Sequence, residues 1–177
     1  MTSLPDKVVA IDRALADVPH AFGGALALAY YAEPRATVDI DLNVFVPVAD
    51  APGVIDRLER IGVDGTASPD ALERDGQVRL WWDRNPVDLF FSYDPFHDAA
   101  RDAARRVPFA GTEIPVLAAD HLVVCKAVFD RPKDWVDVDA MLAAGAAIDP
   151  GEVLRWVARI TGPDDARFAR IARVLAG

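Results

Sequence analysis

The chain has little of what marks membrane, disulfide-stabilised and zinc-binding proteins. Its 177 residues include one cysteine, Cys125, so no internal disulfide can form, and we expect a buried thiol in a reducing compartment. No apolar run approaches the roughly 18 residues of a membrane span, and the N-terminal segment lacks the basic stretch and cleavage site of a signal peptide. The three histidines, His20, His97 and His121, are not spaced as metal ligands. These absences predict a cytoplasmic protein without a membrane span or a zinc site.

Positive charge is also scarce, and its distribution is uneven. Residues 1–100 carry 8 Lys and Arg against 17 Asp and Glu, whereas residues 101–177 carry 11 of each, so the net charge of −9 lies in the first part. Such a protein is a poor non-specific binder of nucleic acid, because that affinity grows with the number of phosphates neutralised. Five arginines stand near the C-terminus: Arg155, Arg159, Arg167, Arg170 and Arg173. They leave two alternatives open, an RNA-binding surface and an ordinary solvated helix face, of which the second is favoured.

The pattern of apolar residues is typical of a globular α+β protein with a helical end. A strand is predicted at 37–46, and β-hairpins at 76–83 with 86–93, around a turn at Arg84-Asn85-Pro86, and at 107–110 with 113–117. Residues 63–75 read as a loop. Helices are predicted at 6–17, 24–31, 53–61, within 94–106, and at 119–129, 132–144, 151–160 and 163–175. The change of class near residue 118 predicts a division into residues 1–117 and 118–177.

The segment FGGALALAYYAEPRATVDIDLNVFV, Phe22–Val46, contains the most informative residues. A strand alternates its side chains, so Asp39 and Asp41 project from one face while Val38 and its alternate neighbours face the other. Two adjacent carboxylates repel each other unless a cation lies between them, and hard oxygen ligands favour Mg²⁺. The glycine pair Gly23-Gly24 offers backbone N–H groups that a phosphate can approach closely, because no Cβ intervenes.

A third carboxylate is required for two-metal phosphoryl transfer, and Asp88 is the candidate. It lies in PVDLFF, where a strand beside the first aspartate strand would bring it to Asp39 and Asp41 and let it accept the proton of the nucleophile. The alternative is an exposed strand residue near a turn.

A second polar group lies in HLVVCKAVFDRPKDWVDVDAML. Asp134 and Asp137 share one face of the predicted 132–144 helix. Lys126, on the preceding helix, can reach either Asp134, as an interhelix salt bridge, or a triphosphate. For Lys133, exposure to solvent and phosphate contact are equally weighted.

Together these motifs resemble the DNA polymerase β-type nucleotidyltransferase superfamily. The shared features are the apolar residue and glycine pair, the Asp-x-Asp strand preceded by the hydroxyl residue Thr37, and the third-aspartate strand. The Lys126 block is similar to the AbiEii branch of abortive-infection toxins. In place of the serine that some members have at the second glycine position, this chain has Gly24.

The resemblance implies a small mixed sheet flanked by helices and followed by a helical subdomain. It implies transfer of a nucleoside monophosphate from an NTP to a hydroxyl of RNA or tRNA, a protein or a small molecule, with Mg²⁺ or Mn²⁺ and a cognate antitoxin partner. The implied catalytic and metal-binding residues are Asp39, Asp41 and Asp88. The implied nucleotide-binding residues are Gly23, Gly24, Thr37, Lys126, Lys133 and Asp134. A catalytically silent nucleotide-binding or protein-interaction module is the alternative.

Overall fold

The structure is a computed structural model that describes residues 2–65 and 69–177. The chain forms two compact units. The first comprises Met1–Leu26 and Ala36–Leu117, and the second comprises Ala27–Arg35 and Ala118–Gly177. The sequence had placed residues 27–35 with the first part, but they group with the helices of the second.

The first unit is built around a mixed β-sheet. Its strands are β1 (His20–Phe22), β2 (Ile40–Pro47), β3 (Gln77–Trp82), β4 (Asn85–Ser92), β5 (Arg105–Phe109) and β6 (Thr112–Val116). Its helices are α1 (Leu4–Ala14), α3 (Ala51–Glu59), α4 (Pro69–Asp75) and α5 (Pro95–Ala103), while α2 (Gly24–Leu28) begins in this unit. The described strands lie in the order β3-β4-β2-β1-β6-β5, so β2 and β1 are central.

Alternation along the strands creates one buried face of this sheet. Ile40, Leu42 and Val44 of β2 are fully buried, and burying each such side chain contributes about 1.5–3 kcal/mol. In β3, Val78, Leu80 and Trp82 are buried while the residues between them are exposed. The opposite face carries Asp41 and Arg79, and also the buried Asn43 and Phe45 of β2. Val38, predicted on the buried face, is 61% exposed because β2 begins only at Ile40.

The second unit is a group of helices. They are α6 (Ala119–Phe129), α7 (Pro132–Ala143), α8 (Pro150–Thr161) and α9 (Ala166–Ala176), and α6 contacts the other three. Helix α6 is apolar over most of its circumference, as expected of a helix surrounded by others. Asp149 and Asp165 begin α8 and α9 as N-caps, each accepting a hydrogen bond of 2.8 Å from a backbone N–H two residues on. Cys125, expected to be buried, is half-buried.

Most predicted elements are present, with ends shifted by a few residues. Both hairpins are confirmed, although the first turn consists of Asp83 and Arg84 rather than Arg84-Asn85-Pro86. The strand β1 was missed because three residues are too few for a period to show. Within the predicted loop 63–75, α4 forms at Pro69–Asp75, and residues 66–68 lie outside the described residues. No helix within 2–65 and 69–177 is long and apolar enough to cross a membrane.

Candidate active site

Carboxylates from two neighbouring strands meet on the polar face of the first unit's sheet. Strands β2 and β4 are parallel, and their register pairs Asp41 with Asp88. Neighbouring strands lie about 4.8 Å apart, so these two residues are direct neighbours. Asp39 stands two residues before Asp41, just ahead of β2. The predicted adjacency of the two strands is thus confirmed, and Asp39, Asp41 and Asp88 lie at one end of the strand pair.

Arg79 extends this row onto a third strand. The β3–β4 hairpin pairs Arg79 with Asp88, and the guanidinium donates two hydrogen bonds of 2.7 Å to the two carboxylate oxygens. The Arg79 side chain is 54% exposed and that of Asp88 is 15% exposed. The hydrogen bonds to Asp88, opposed by partial burial and assisted by the charges of Asp88, Asp39 and Asp41, raise the pKa of Arg79 above its ordinary value. All three carboxylates therefore lie within electrostatic reach of one arginine.

The glycine pair makes room for this row. Gly24 has a φ of +50°, and a Cβ built there would lie 1.8 Å from Asp41 Oδ2 and 2.6 Å from Asp41 Cγ. A Cβ on Gly23 would lie 3.0 Å from Asn43 Nδ2, and the Gly23 N–H donates a 2.9 Å hydrogen bond to the Asp41 carbonyl. The Gly23 N–H is thus engaged in the sheet, unlike the free donor expected from the sequence. Both glycines allow the chain to pass directly beside the aspartate strand.

Hydrogen bonds fix the segment that precedes Asp39. The Thr37 hydroxyl accepts a 3.1 Å hydrogen bond from the Asp39 N–H. Asn85 Nδ2 donates a 2.8 Å hydrogen bond to the Val38 carbonyl, while Asn85 Oδ1 accepts one of 2.9 Å from Lys7 Nζ. Lys7 is 1% exposed, so this ammonium holds the Asn85 amide in one orientation. The backbone next to Asp39 is therefore tied to β4 and, through Lys7, to α1.

The carboxylate row has the chemistry of a divalent-cation site. Three carboxylates offer the hard oxygen donors that Mg²⁺ and Mn²⁺ prefer. As the side chains stand, no group of three His, Cys, Asp or Glu residues within the described part of the chain is arranged to hold a metal ion. Both oxygens of Asp88 are directed at Arg79 instead. The three carboxylates could hold a metal together only after Asp88 turns away from Arg79.

The second unit holds a buried ionic cluster. Lys126 and Asp137 are 4% and 3% exposed, and Lys126 Nζ lies 2.5 Å from Asp137 Oδ2 and 3.6 Å from Asp134 Oδ1. Arg35 donates two further hydrogen bonds to Asp137, of 2.9 and 3.0 Å. Burial alone would raise the pKa of Asp137, but the hydrogen bonds from Arg35 and Lys126 hold that pKa below its ordinary value.

Asp134 also has a local structural role. Its carboxylate accepts hydrogen bonds from the backbone N–H of Arg131, at 3.2 Å, and from the Arg131 guanidinium, at 2.7 and 3.1 Å, which caps the start of α7. Of the two alternatives for Lys126, the interhelix salt bridge is present, although to Asp137 more closely than to Asp134. Lys133 lies exposed in the first turn of α7.

The arginines near the C-terminus have partners within the protein. Arg155 pairs with Glu152, Arg167 with Asp165 and Arg170 with Asp130, and Arg173 donates to a backbone carbonyl of its own helix. This is the arrangement of a solvated helix face.

Four polar residues of these two clusters were missed by the sequence reasoning: Lys7, Arg35, Arg79 and Asn85. Only Arg79 carried a local signal, because alternation in QVRLWW places it on the polar face of its strand. The partners of the other three are far away in sequence, so no spacing pattern announces them.

The mixed sheet carries an aspartate pair and a third aspartate on the next parallel strand, the arrangement that the sequence led us to expect of a nucleotidyltransferase. The family profile "Nucleotidyl transferase AbiEii toxin, Type IV TA system" matches residues 9–175. The chain belongs to this family and is a nucleotidyltransferase. Membership implies a nucleotide substrate and an antitoxin partner, and nucleotidyltransferases generally use divalent metals.

Solved structures show the same fold. The chain is similar to the solution structure of the antibiotic-resistance factor ANT(2'')-Ia, with a TM-score of 0.63 and 14% identity over 97% of this chain and 96% of that one. The crystal structure of ANT(2'')-Ia with adenylyl-2''-tobramycin gives a TM-score of 0.64 and 15% identity over 89% and 97%. The lincomycin-bound lincosamide adenylyltransferase LnuA gives 0.56 and 14% over 78% and 96%. No curated protein matches the chain in sequence.

Proposed function

We propose that the protein transfers a nucleoside monophosphate from an NTP to a hydroxyl acceptor in a reaction that depends on Mg²⁺ or Mn²⁺. The observation that carries the proposal is the register of β2 and β4, which pairs Asp41 with Asp88 and leaves Asp39 two residues away. Family membership supports the reaction class. The row of carboxylates supports a site for the divalent cation that the reaction would require.

Asp39, Asp41 and Asp88 would hold the metal. The bound cation would neutralise the phosphates and lower the pKa of the attacking hydroxyl. Asp88 would accept the proton of that hydroxyl. The acceptor oxygen forms a bond to the α-phosphorus while the bond from that phosphorus to the pyrophosphate oxygen breaks, and pyrophosphate leaves. Arg79 must release Asp88 before Asp88 can take these roles.

The nucleotide would be held by the remaining predicted residues. Gly24 lets the chain pass directly beside Asp41, and Gly23 and Thr37 fix the two segments that flank it. Lys133 is exposed to solvent, whereas Lys126 is buried in ion pairs with Asp137 and Asp134. Lys126 would have to leave these carboxylates to bind a phosphate. We therefore expect Lys133 to contribute more to NTP affinity than Lys126.

The acceptor is a hydroxyl of RNA or tRNA, a protein or a small molecule. The structure of ANT(2'')-Ia with adenylyl-2''-tobramycin and that of the adenylyltransferase LnuA with lincomycin favour testing a small-molecule hydroxyl first. The intramolecular partners of the C-terminal arginines reduce the case for RNA. As a family toxin, the protein would act in the cytoplasm and be restrained by a cognate antitoxin.

Label transfer from each of the four α-³²P NTPs tests this proposal. Wild-type protein with Mg²⁺ should label one of three acceptor pools, total RNA, total protein or a small-molecule extract. Asp88→Asn should reduce turnover strongly and NTP binding only slightly, since it removes an interaction made in the transition state. Asp75→Asn, on an exposed carboxylate outside the row, is the matched control. NTP binding without labelling of any pool would favour the catalytically silent module.

A further inference from the structure

We propose that Arg79 is a displaceable counter-ion, which occupies Asp88 in the metal-free protein and competes with the metal for that carboxylate. This inference rests on the proposed metal site. It adds a residue of this chain that sets how readily the site takes its cation.

The geometry of the pair carries the first step. Arg79 and Asp88 are opposite each other in the β3–β4 ladder, and two hydrogen bonds of 2.7 Å engage both carboxylate oxygens. A carboxylate bound in this forked way has its two best lone pairs directed at the arginine. A metal that takes either of these lone pairs must break one of these hydrogen bonds.

The second step is that the pair can open. The Arg79 side chain is 54% exposed, so water replaces Asp88 around the released guanidinium at small cost. Arg79 also lies on the exposed face of β3. The Lys126–Asp137 pair differs in this respect, because Lys126 is only 4% exposed.

The third step is electrostatic. Asp39, Asp41 and Asp88 place three negative charges at one end of two strands, and Arg79 is a cation close enough to reduce their repulsion. A divalent cation between the same carboxylates provides more charge and makes the arginine unnecessary there. Arg79 thus stabilises the metal-free site and lowers its affinity for metal.

Mn²⁺ binding measured by electron paramagnetic resonance tests the inference without any reaction. Arg79→Gln removes the cation and leaves a neutral side chain, and we expect it to bind Mn²⁺ about three- to tenfold more tightly than the wild type. Arg79→Lys keeps the charge but loses the fork, so its affinity should fall between the two. The matched control is Arg74→Gln, which removes the same charge from another exposed Arg–Asp pair of this unit, Arg74–Asp75, and should leave the affinity unchanged.

The double variant Arg79→Gln with Asp88→Asn identifies the carboxylate. In the Asp88→Asn background, the gain from Arg79→Gln should fall below about twofold, because the competition is for Asp88. Circular dichroism and thermal melts show that each variant is folded, and Arg79→Lys provides a conservative variant that keeps the test valid if Arg79→Gln is destabilised.

Three results would overturn the inference in distinguishable ways. Wild-type affinity in Arg79→Gln, or a lower one, means that Arg79 does not compete with the metal. An equal gain in Arg74→Gln means that net charge alone is responsible. Absence of Mn²⁺ binding by the wild type and by every Arg79 variant would overturn the metal site itself and, with it, the proposed function.

Discussion

Replacing Gly24 by alanine tests how the glycine pair and the aspartate strand depend on each other. The new Cβ would lie 1.8 Å from Asp41 Oδ2, 2.6 Å from Asp41 Cγ and 3.0 Å from Asp41 Cβ. Rotation of the carboxylate relieves the first two contacts but not the third, because the Asp41 Cβ is fixed to β2. The substitution must therefore move both the Asp41 carboxylate and the backbone that joins β1 to α2.

The expected loss in free energy of unfolding for Gly24→Ala has two parts. Alanine in the left-handed region costs about 1–2 kcal/mol, since Gly24 has a φ of +50°. The clash adds about 1–3 kcal/mol, as for other insertions into a packed site. Gly145→Ala isolates the first part, because Gly145 has a φ of +72° and nothing within 4 Å of its ideal Cβ.

Urea unfolding and Mn²⁺-dependent NTP binding measure the consequence. Gly24→Ala should lose about 1–3 kcal/mol more free energy of unfolding than Gly145→Ala. Its affinity for Mn²⁺ with NTP should fall about 10- to 100-fold, as when a residue that positions a metal ligand is changed. Equal losses of stability in the two variants, together with wild-type Mn²⁺ and NTP binding in Gly24→Ala, would refute this reasoning.

Further predictions concern the two buried lysines, Lys126 and Lys7, and the aspartates paired with them. Lys126→Met should lower the free energy of unfolding by about 1.5–3 kcal/mol, because it removes one partner of the buried Asp137 carboxylate while Arg35 keeps its two hydrogen bonds. A loss under about 1 kcal/mol in urea would contradict the ion pair. The pKa of Asp137 is lowered in the folded protein, so its ionised carboxylate stabilises the fold at pH values above the ordinary pKa of 3.8. This stabilisation is lost as the pH falls through the folded pKa. Asp137→Asn should therefore lose less stability below about pH 4 than the wild type. Parallel slopes in urea titrations at several acidic pH values would show that Asp137 titrates normally. Lys7→Met should cost about 2 kcal/mol, and Asp83→Asn less than about 1 kcal/mol, because Asp83 is 57% exposed and its loss leaves Lys7 two other acceptors; equal shifts in thermal melts would count against the buried network.

The sequence predicted the elements whose signals are local. Alternation around Asp41 and Asp88 marked β2 and β4, and helical periodicity interrupted by Pro132, Pro150 and Pro163 marked the helices of the second unit. These signals act within a few residues, so they survive without knowledge of the fold. The placement of β4 beside β2 was also predicted, because only that arrangement gives the third carboxylate a role.

Register was harder to predict, and Arg79 shows why. The predicted turn was Arg84-Asn85-Pro86. The observed turn, Asp83 and Arg84, begins one residue earlier and places Arg79 opposite Asp88. The positive φ of Asp83, at 54°, permits this turn, and aspartate is among the few residues that adopt it readily.

Long-range contacts decided what the sequence left open. Lys126 was balanced between a salt bridge and a phosphate, and Arg35, more than ninety residues away, completes the cluster that holds it. Gly24 was predicted to admit a phosphate, whereas its immediate neighbour is Asp41. In both cases the decisive partner comes from another element, and only the fold brings it near.

The most direct test of the account is Mn²⁺-dependent NTP binding by the wild type and by the variant with both Asp39→Asn and Asp41→Asn. Calorimetry with a non-hydrolysable NTP measures it without an acceptor. We predict that the wild type binds the nucleotide only when Mn²⁺ is present. The double variant should lose this Mn²⁺-dependent binding while keeping its circular dichroism spectrum. Equal Mn²⁺-dependent binding by both proteins, or metal-independent binding by the wild type, would contradict the assignment of these aspartates to a metal-dependent nucleotidyltransferase site.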